Sequence, residues 1–279
     1  MSIYHLWQVM IPKMDPTLHQ DVHLAFALSL VFLSAMNVKE SDKPGRALIS
    51  QLVSLFFLIC SLVSTIYIYT NFGALVNRAG RYTSVDTVIG LIMILAVLEA
   101  TRRTYGILLP SLVTIALLYG HFGYLLPGIF RHSGYSWPRL IASVTTYLYG
   151  IFGTVLDVPA TYIVLFMIFG GLLEASGAGE FFIKVAIALG GKTRSGAAQA
   201  AVIGSGLVGS INGSAVANVA STGTFTIPMM KDRGYEPHYA GAVESVASTG
   251  GMIMPPVMGV GAFNMSGLIG VPSANIALC

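Results

Sequence analysis

From Val22 to Phe130 the chain is a succession of long apolar runs separated by short charged punctuation. Val22 to Val38, Ala47 to Tyr69, Ser84 to Ala100 and Gly106 to Phe130 are the candidates. As helices rising about 1.5 Å per residue, they approach or exceed the roughly 30 Å hydrocarbon core of a bilayer. Lipid offers backbone groups no hydrogen-bond partner, so a spanning segment must satisfy its own donors and acceptors. Composition agrees: 10% of residues are charged and 54% hydrophobic, whereas soluble domains carry about 25% charged residues. With a mean hydropathy of +0.74, the chain cannot cover itself with polar groups, and the lipid bilayer is its solvent. The predicted fold class is an all-α integral membrane protein, a multi-span helical bundle.

After these runs, Ser136 to Ala160 is aromatic and interrupted by Gly150, Gly153 and Pro159. Tyr and Trp favour the membrane–water boundary, so this stretch reads as partly interfacial. Thr161 to Ala175 crosses again, while Phe181 to Leu189 is too short to do so. Gly106 to Phe130 is expected to bend at Pro110 or Pro127. Placing the linker Lys39 to Arg46 in the cytoplasm and alternating from there puts Lys39, Lys43, Arg46, Arg102, Arg103, Lys184, Lys192, Arg194, Lys231 and Arg233 inside. Lys13, Arg78, Arg81, Arg131 and Arg139 stay outside, the bias that the positive-inside rule demands. The count requires that Ser136 to Ala160 not complete a span. The net charge of +3 is dispersed among these loops, with no basic run that fits nucleic acid. Cys60 and Cys279 form neither a disulfide framework nor a metal-ligand spacing. Met1 to Gln20 lacks the basic-then-apolar order of a signal peptide.

The stretch richest in chemistry is Gly196 to Met230, followed by Tyr239 to Met265. Lys192 and Arg194 precede the first segment, and Lys231 and Arg233 follow it, so both ends belong on one side of the membrane. Its centre, Ser210-Ile211-Asn212-Gly213-Ser214, is polar and turn-prone. Arms of about fifteen to seventeen residues reach roughly 22–26 Å, short of the far surface. The prediction is a re-entrant helical hairpin. Non-helical backbone at membrane depth is tolerated only in a protein interior or beside a watery cavity. The small residues of the arms would permit close packing, and one reading stops there. The other is that tip carbonyls and hydroxyls bind a hard cation such as Na⁺, since broken helices near the midplane hold ions in secondary transporters.

A second interruption follows. Tyr239 to Thr249 is helix-like, and then Gly250-Gly251 and Pro255-Pro256 break an apolar run. Carbonyls freed there could face the hairpin tip. Other matches carry less. Gly204-Ser205-Gly206-Leu207-Val208-Gly209 satisfies GxGxxG literally but lacks the strand and acidic residue of a dinucleotide site. Asn212-Gly213-Ser214 matches a glycosylation sequon, which a membrane-embedded tip cannot offer. His121, His132 and His238 lack paired ligand spacing. Glu99 with Arg102 reads as an exposed helix-end pair. Glu244 lies within the Tyr239 helix, where an intramembrane acid is a functional candidate and a snorkelling role is the alternative. A membrane-embedded hydrolase using Ser205 or Ser210 would need a base within reach, and neither arm contains His or Lys. A non-transporting scaffold is the further alternative.

LEATRRTYG (Leu98 to Gly106), GSINGSAVANVASTGTFTIPMMKDRGY (Gly209 to Tyr235) and AGAVESVASTGGMIMPPVMG (Ala240 to Gly259) resemble the fused permease of tripartite ATP-independent periplasmic (TRAP) transporters, in particular the type paired with TAXI binding proteins. The resemblance implies that residues 1–139 correspond to the small (Q-type) membrane subunit. Residues 140–279 would then be the N-terminal part of the large (M-type) subunit, with its first hairpin at 196–230. It implies sodium-coupled import of organic acids, C4-dicarboxylates or other carboxylates, across the bacterial inner membrane, delivered by a periplasmic TAXI-type binding protein. No catalysis and no cofactor are implied, only Na⁺ as coupling ion. The ion site it implies comprises Ser210, Asn212, Gly213 and Ser214, with Ser248, Thr249, Gly250, Gly251 and Pro255 opposite. Met252 stands where this branch would place a polar Gln, and a thioether is a poor ligand for a hard cation. Nothing after Met265 supplies a second hairpin, so the resemblance also implies an incomplete chain.

Overall fold

The computed structural model describes residues 1–11, 14–37, 44–77, 81–145, 150–190, 194–255 and 257–278. Lys13, Lys39, Lys43, Arg78, Lys192, Pro256 and Cys279, named above, lie outside the described residues, as do the side chains of Arg46, Arg194 and Asn212. Among the described residues the structure is helical throughout, with no strand. Five helices among the described residues are long and apolar enough to cross a membrane: Pro16–Met36, Leu48–Asn77, Ser84–Tyr105, Leu108–Leu125 and Thr154–Leu173. The chain divides into two compact units, one formed by Ile11–Asp157 with Met1, the other by Ser2–Met10 and Val158–Cys279.

The first helix, α1 (Ser2–Met10), belongs with the second unit. The first unit is built on α2 (Pro16–Asn37), α3 (Pro44–Asn77) and α4 (Ser84–Tyr105), followed by α5 (Leu108–Phe122) and α6 (Trp137–Thr145). Leu24, Leu28 and Phe32 recur every fourth residue along α2, so one stripe meets Ile68 and Leu75 of α3 and Met93 and Ala100 of α4. Apolar side chains also cover the outside: Leu48, Leu52, Leu55, Phe56 and Ile59 of α3 are all exposed. A helix facing water would be polar there; a lipid-facing one has this pattern.

Polar residues point inward instead. Ser54, Ser61, Ser64 and Thr65 of α3 are buried, and each hydroxyl returns to a carbonyl three or four residues back. Small side chains whose polarity is met locally let helices approach closely. Thr83 and Asp86 form a capping box that opens α4, and the Tyr67 hydroxyl donates to Asp86 Oδ1 at 2.8 Å. At the other end of α4, Glu99 is less exposed than the expected surface pair. Its carboxylate is 13% exposed and receives both Arg102 and Arg103.

Prolines account for most differences from the sequence reading. Pro110 does not bend α5. It is the third residue of a helix that starts after Gly106, whose φ is +80°, and in a first turn the missing N–H has no intrahelical partner to lose. The run expected to reach Phe130 leaves the α-helix at Phe122 and continues as two 3₁₀ turns, Gly123–Leu125 and Gly128–Phe130. Pro159 does not interrupt its helix either. α7 (Thr154–Val158) passes through a π turn at Pro159–Ile163 into α8 (Val164–Ala175), so the crossing helix starts at Thr154 rather than Thr161. The Val164 N–H reaches the Pro159 carbonyl five residues back, and the wider turn accommodates the proline ring.

The second unit continues with α9 (Ala178–Gly190), α10 (Arg194–Asn212), α11 (Ala215–Asp232), α12 (Pro237–Gly251), α13 (Val260–Ile269) and α14 (Ser273–Ile276). α10 packs against α9, α11 and α12. Small residues allow this: a β-carbon at Gly190 would meet the Gly196 carbonyl at 2.6 Å. Ala197, Ala201, Met230 and Ala240 form a buried cluster among α10, α11 and α12.

Candidate functional site

α10 and α11 are the two arms of the predicted hairpin. With 19 and 18 residues they reach roughly 28 and 27 Å, longer than the sequence reading allowed and still just under a bilayer core. The arms reverse at Gly213, whose φ of +59° favours glycine. Its N–H donates to the Gly209 carbonyl at 3.0 Å. Ser214 then caps α11, accepting the Ala217 N–H at 3.4 Å.

The second break is equally well formed. α12 stops at Gly251, and the chain passes through turns until Gly259 opens α13. Met258 has a φ of +55°, a strained conformation for a residue with a side chain. This irregular stretch closes over the hairpin tip. The Val257 N–H donates to the Ser210 carbonyl at 3.1 Å. A β-carbon at Gly213 would lie 2.3 Å from the Met258 carbonyl oxygen, and one at Gly209 would lie 2.7 Å from the Gly251 α-carbon. Tip and break are therefore joined backbone to backbone, at a distance that only glycine permits.

One turn below lies a buried polar nest. Glu244 of α12 is wholly inaccessible, which excludes snorkelling to the surface. Ser205 of α10 and Ser248 of α12 donate to its Oε1 at 2.9 and 3.0 Å. Thr222 of α11 also donates to Oε1, and Thr226 donates to Oε2 at 2.5 Å. No basic side chain among the described residues contacts this carboxylate, so four hydroxyls from three helices carry its hydrogen bonding. Asn218, also fully buried, bridges nest and tip. Its Nδ2 donates to the Ser205 carbonyl at 2.7 Å, and its Oδ1 has no hydrogen-bond partner. A buried amide oxygen left without a donor is a costly arrangement and a ready ligand for a cation.

The residues named from sequence fall into two groups. Ser210 and Gly213 meet the break, Ser210 through its carbonyl, because its hydroxyl turns back to the Leu207 carbonyl at 2.7 Å, while Ser214 caps α11. Asn212 ends α10, with its side chain outside the described residues. Gly251 is buried against the arm, and Ser248 faces Glu244. Thr249, Gly250 and Pro255 are exposed, and the Thr249 hydroxyl bonds the Ser245 carbonyl of its own helix. The Met252 carbonyl accepts the Gly259 N–H at 2.5 Å, closing the break on itself. Sequence reasoning missed Asn218, Thr222 and Thr226. Their signal was a polar stripe at every fourth residue of an otherwise small and apolar arm. Ser205, weighed there as a nucleophile, is fully buried in a shared hydroxyl cluster and donates to Glu244.

Comparison with known proteins matches this region to one family. The family model described as "Tripartite ATP-independent periplasmic transporter, DctM component" matches residues 92–279. The "Isethionate TRAP transporter permease protein DctMQ" of Oleidesulfovibrio alaskensis is 30% identical over 179 residues, 61% of this chain and 27% of that protein. The "C4-dicarboxylate TRAP transporter large permease protein DctM" of Vibrio cholerae is 30% identical over 119 residues, 42% of this chain and 25% of that protein. "Uncharacterized protein YgiK" of Salmonella typhimurium is 28% identical over 103 residues, 37% of this chain and 22% of that protein. The chain thus spans about a quarter of the length of these relatives. No solved structure matches it.

Proposed function

Because the chain belongs to the DctM component family of tripartite ATP-independent periplasmic transporters, we propose that it is membrane permease machinery for sodium-coupled import of organic acids. The observation that carries the sodium assignment is the closure of the Gly250–Gly259 break over the hairpin tip, beside the unpartnered Oδ1 of Asn218. The site offers carbonyl and amide oxygen, the chemistry that suits a hard cation. Na⁺ enters as cargo. Asn218 Oδ1 would ligate it together with main-chain oxygens of the tip and break, and the backbone contact at Ser210 and Val257 would hold those oxygens in place. Thr249, Gly250 and Pro255 line the other side of the break and would act through its shape rather than as side-chain ligands.

Glu244 would be a positioning residue in this scheme. It ties both hairpin arms to α12, so the three helices would move as one body and carry the ion with them. Organic acids fit as solute, since two of the relatives are named as permeases for isethionate and for C4-dicarboxylates. Delivery by a periplasmic binding protein of the TAXI type, and a small-subunit-like role for residues 1–139 ahead of the large-subunit-like part, complete the proposal. The test uses Ser210→Cys in a background with Cys60 and Cys279 replaced by Ser, reconstituted in liposomes. Maleimide labelling is expected to slow in Na⁺ relative to K⁺ at equal ionic strength. Equal rates in the two salts would remove the sodium site.

A further inference from the structure

In the first unit, α5 ends in an apolar loop that no span accounts for. Leu108–Leu125 is the least buried of the five membrane-length helices, 11% of its most apolar stretch against 22–39% in the others. Leu109, Leu112, Val113, Ile115 and Leu118 are all exposed along it, so α5 stands in lipid on most of its sides. The sequence after it, Tyr124-Leu125-Leu126-Pro127-Gly128-Ile129-Phe130, holds no charged side chain. Yet this stretch leaves the α-helix and projects outward: Leu125 is 68% exposed, Phe130 63% and Ile129 94%. Single exposed apolar residues are ordinary on a protein surface. Five within one short loop, counting the exposed Tyr124 and Leu126, form a patch that marks an interaction site.

The loop is held in one shape because its polar groups turn in on themselves. Backbone bonds close its neck, from the His132 N–H to the Gly123 carbonyl at 3.2 Å and from the Tyr135 N–H to the Gly120 carbonyl at 2.9 Å. The Tyr119 hydroxyl donates to the Phe130 carbonyl at 3.0 Å. His132 Nδ1 accepts the Gly134 N–H at 3.0 Å, so its proton sits on Nε2, which donates to the Tyr119 carbonyl at 3.1 Å. The His121 ring donates from Nδ1 to the Tyr135 carbonyl at 2.7 Å and stacks on Trp137 at 4.3 Å. Within the loop, the two 3₁₀ turns take up the Leu126 and Arg131 N–H groups. Water would satisfy such groups without this frame, whereas a loop bordering lipid has to satisfy them from within.

We propose that this loop is a membrane anchor whose tip, Leu125, Ile129 and Phe130, lies among lipid acyl chains just beneath the headgroups. Lipid rather than a protein partner is the occupant, because the patch continues the exposed apolar side of α5 from Leu118 and Phe122 onward. Tyr119, Tyr124, Tyr135 and Trp137 belong to the same end of α5, and Tyr and Trp favour the headgroup level. An apolar surface held in this way enters about 5–10 Å below the headgroups, and the anchor sets the depth at which the first unit rides in the bilayer.

The test uses Ile129→Cys and, separately, Ser133→Cys, an exposed polar position of the same loop, each with Cys60 and Cys279 replaced by Ser. Each chain is labelled with bimane and reconstituted in phosphatidylcholine nanodiscs, which leave both membrane faces open. Fluorescence is quenched either by lipid carrying a nitroxide high on its acyl chain or by aqueous iodide. The ratio of nitroxide to iodide quenching should be at least about twofold higher at Ile129 than at Ser133. A ratio at Ile129 equal to or below that at Ser133 would overturn the anchor and leave the patch to a water-borne partner. Quenching of Ile129→Cys by neither agent would overturn it as well, by placing the tip against protein. Adding Tyr119→Phe, which frees the Phe130 carbonyl, should lower the Ile129 ratio, and an unchanged ratio would refute the hydrogen-bonded neck as what holds the tip in lipid.

Discussion

Glu244→Ala and Glu244→Gln, compared with each other, test how the hairpin is fastened to α12. In the native nest, Oε1 receives Ser205, Ser248 and Thr222, and Oε2 receives Thr226. The two threonines have a second acceptor within reach: Thr222 faces the Asn218 carbonyl at 2.8 Å and Thr226 faces the Thr222 carbonyl at 3.0 Å. Alanine would therefore strand mainly the two serines, which can partly bond each other at 3.4 Å. One poorly satisfied buried hydroxyl costs about 1–3 kcal/mol, and the void left by the missing side chain adds to that. A total near 2–4 kcal/mol follows. Glutamine keeps the shape and the three-donor oxygen. Its amide replaces Oε2 and can donate to Thr226, whose own proton turns to the Thr222 carbonyl, so its cost stays below about 1 kcal/mol. Hydrogen exchange of the α10 and α11 amides reads this locally. Alanine should speed exchange roughly thirty- to a thousandfold, and glutamine less than about fivefold. Alanine within threefold of native would refute the fastening role. Glutamine as damaging as alanine would mean that the carboxylate charge, rather than the count of acceptors, holds the nest.

Three further substitutions probe the parts around it. Gly213→Ala places a β-carbon 2.3 Å from the Met258 carbonyl at a left-handed φ, which costs at least about 1–2 kcal/mol. The Val257 amide should then exchange about tenfold faster, and an unchanged rate would show that tip and break are not held together. Asn218→Leu removes the bond to the Ser205 carbonyl, worth about 1 kcal/mol, and should abolish Na⁺ protection of Ser210→Cys; protection that persists would exclude the Asn218 oxygen as a ligand. Asp86→Ala breaks the capping box and strands the Tyr67 hydroxyl, for an expected loss of about 1–2 kcal/mol. Faster exchange confined to the first turns of α4 would confirm it, and no change there would refute it.

Spans, hairpin and break were legible because each rests on local properties: length of apolar run, a polar tip, paired glycines and prolines. The prolines misled only where their position within the helix mattered. Pro110 falls in a first turn and Pro159 in a π turn, and neither location follows from the residue type. The nest around Glu244 was harder to read. Its donors lie 18 to 39 positions away for Thr226, Thr222 and Ser205, on helices whose rotation about their axes no run of sequence declares. Only Ser248, one turn away on the same helix, shared a face with Glu244 in advance of the fold. The same limit explains Thr249, Gly250 and Pro255. Adjacent positions on a helix end point in different directions, so a contiguous motif delivers only some of its members to one side.

The π turn at Pro159–Ile163 has a bearing on how this chain can vary in length. A π turn holds one residue more than the α-helix around it, and each residue of an α-helix turns it by about 100°. Deleting a single residue there would restore ordinary winding and leave both ends of the segment on their axis. Because a π turn and an α turn each close about one revolution, α8 would keep its phase after such a deletion, and Phe166 would stay against Phe263, whose rings lie 5.4 Å apart. The wider turn thus absorbs the surplus residue, and the face that α8 presents to α13 is the same with that residue or without it.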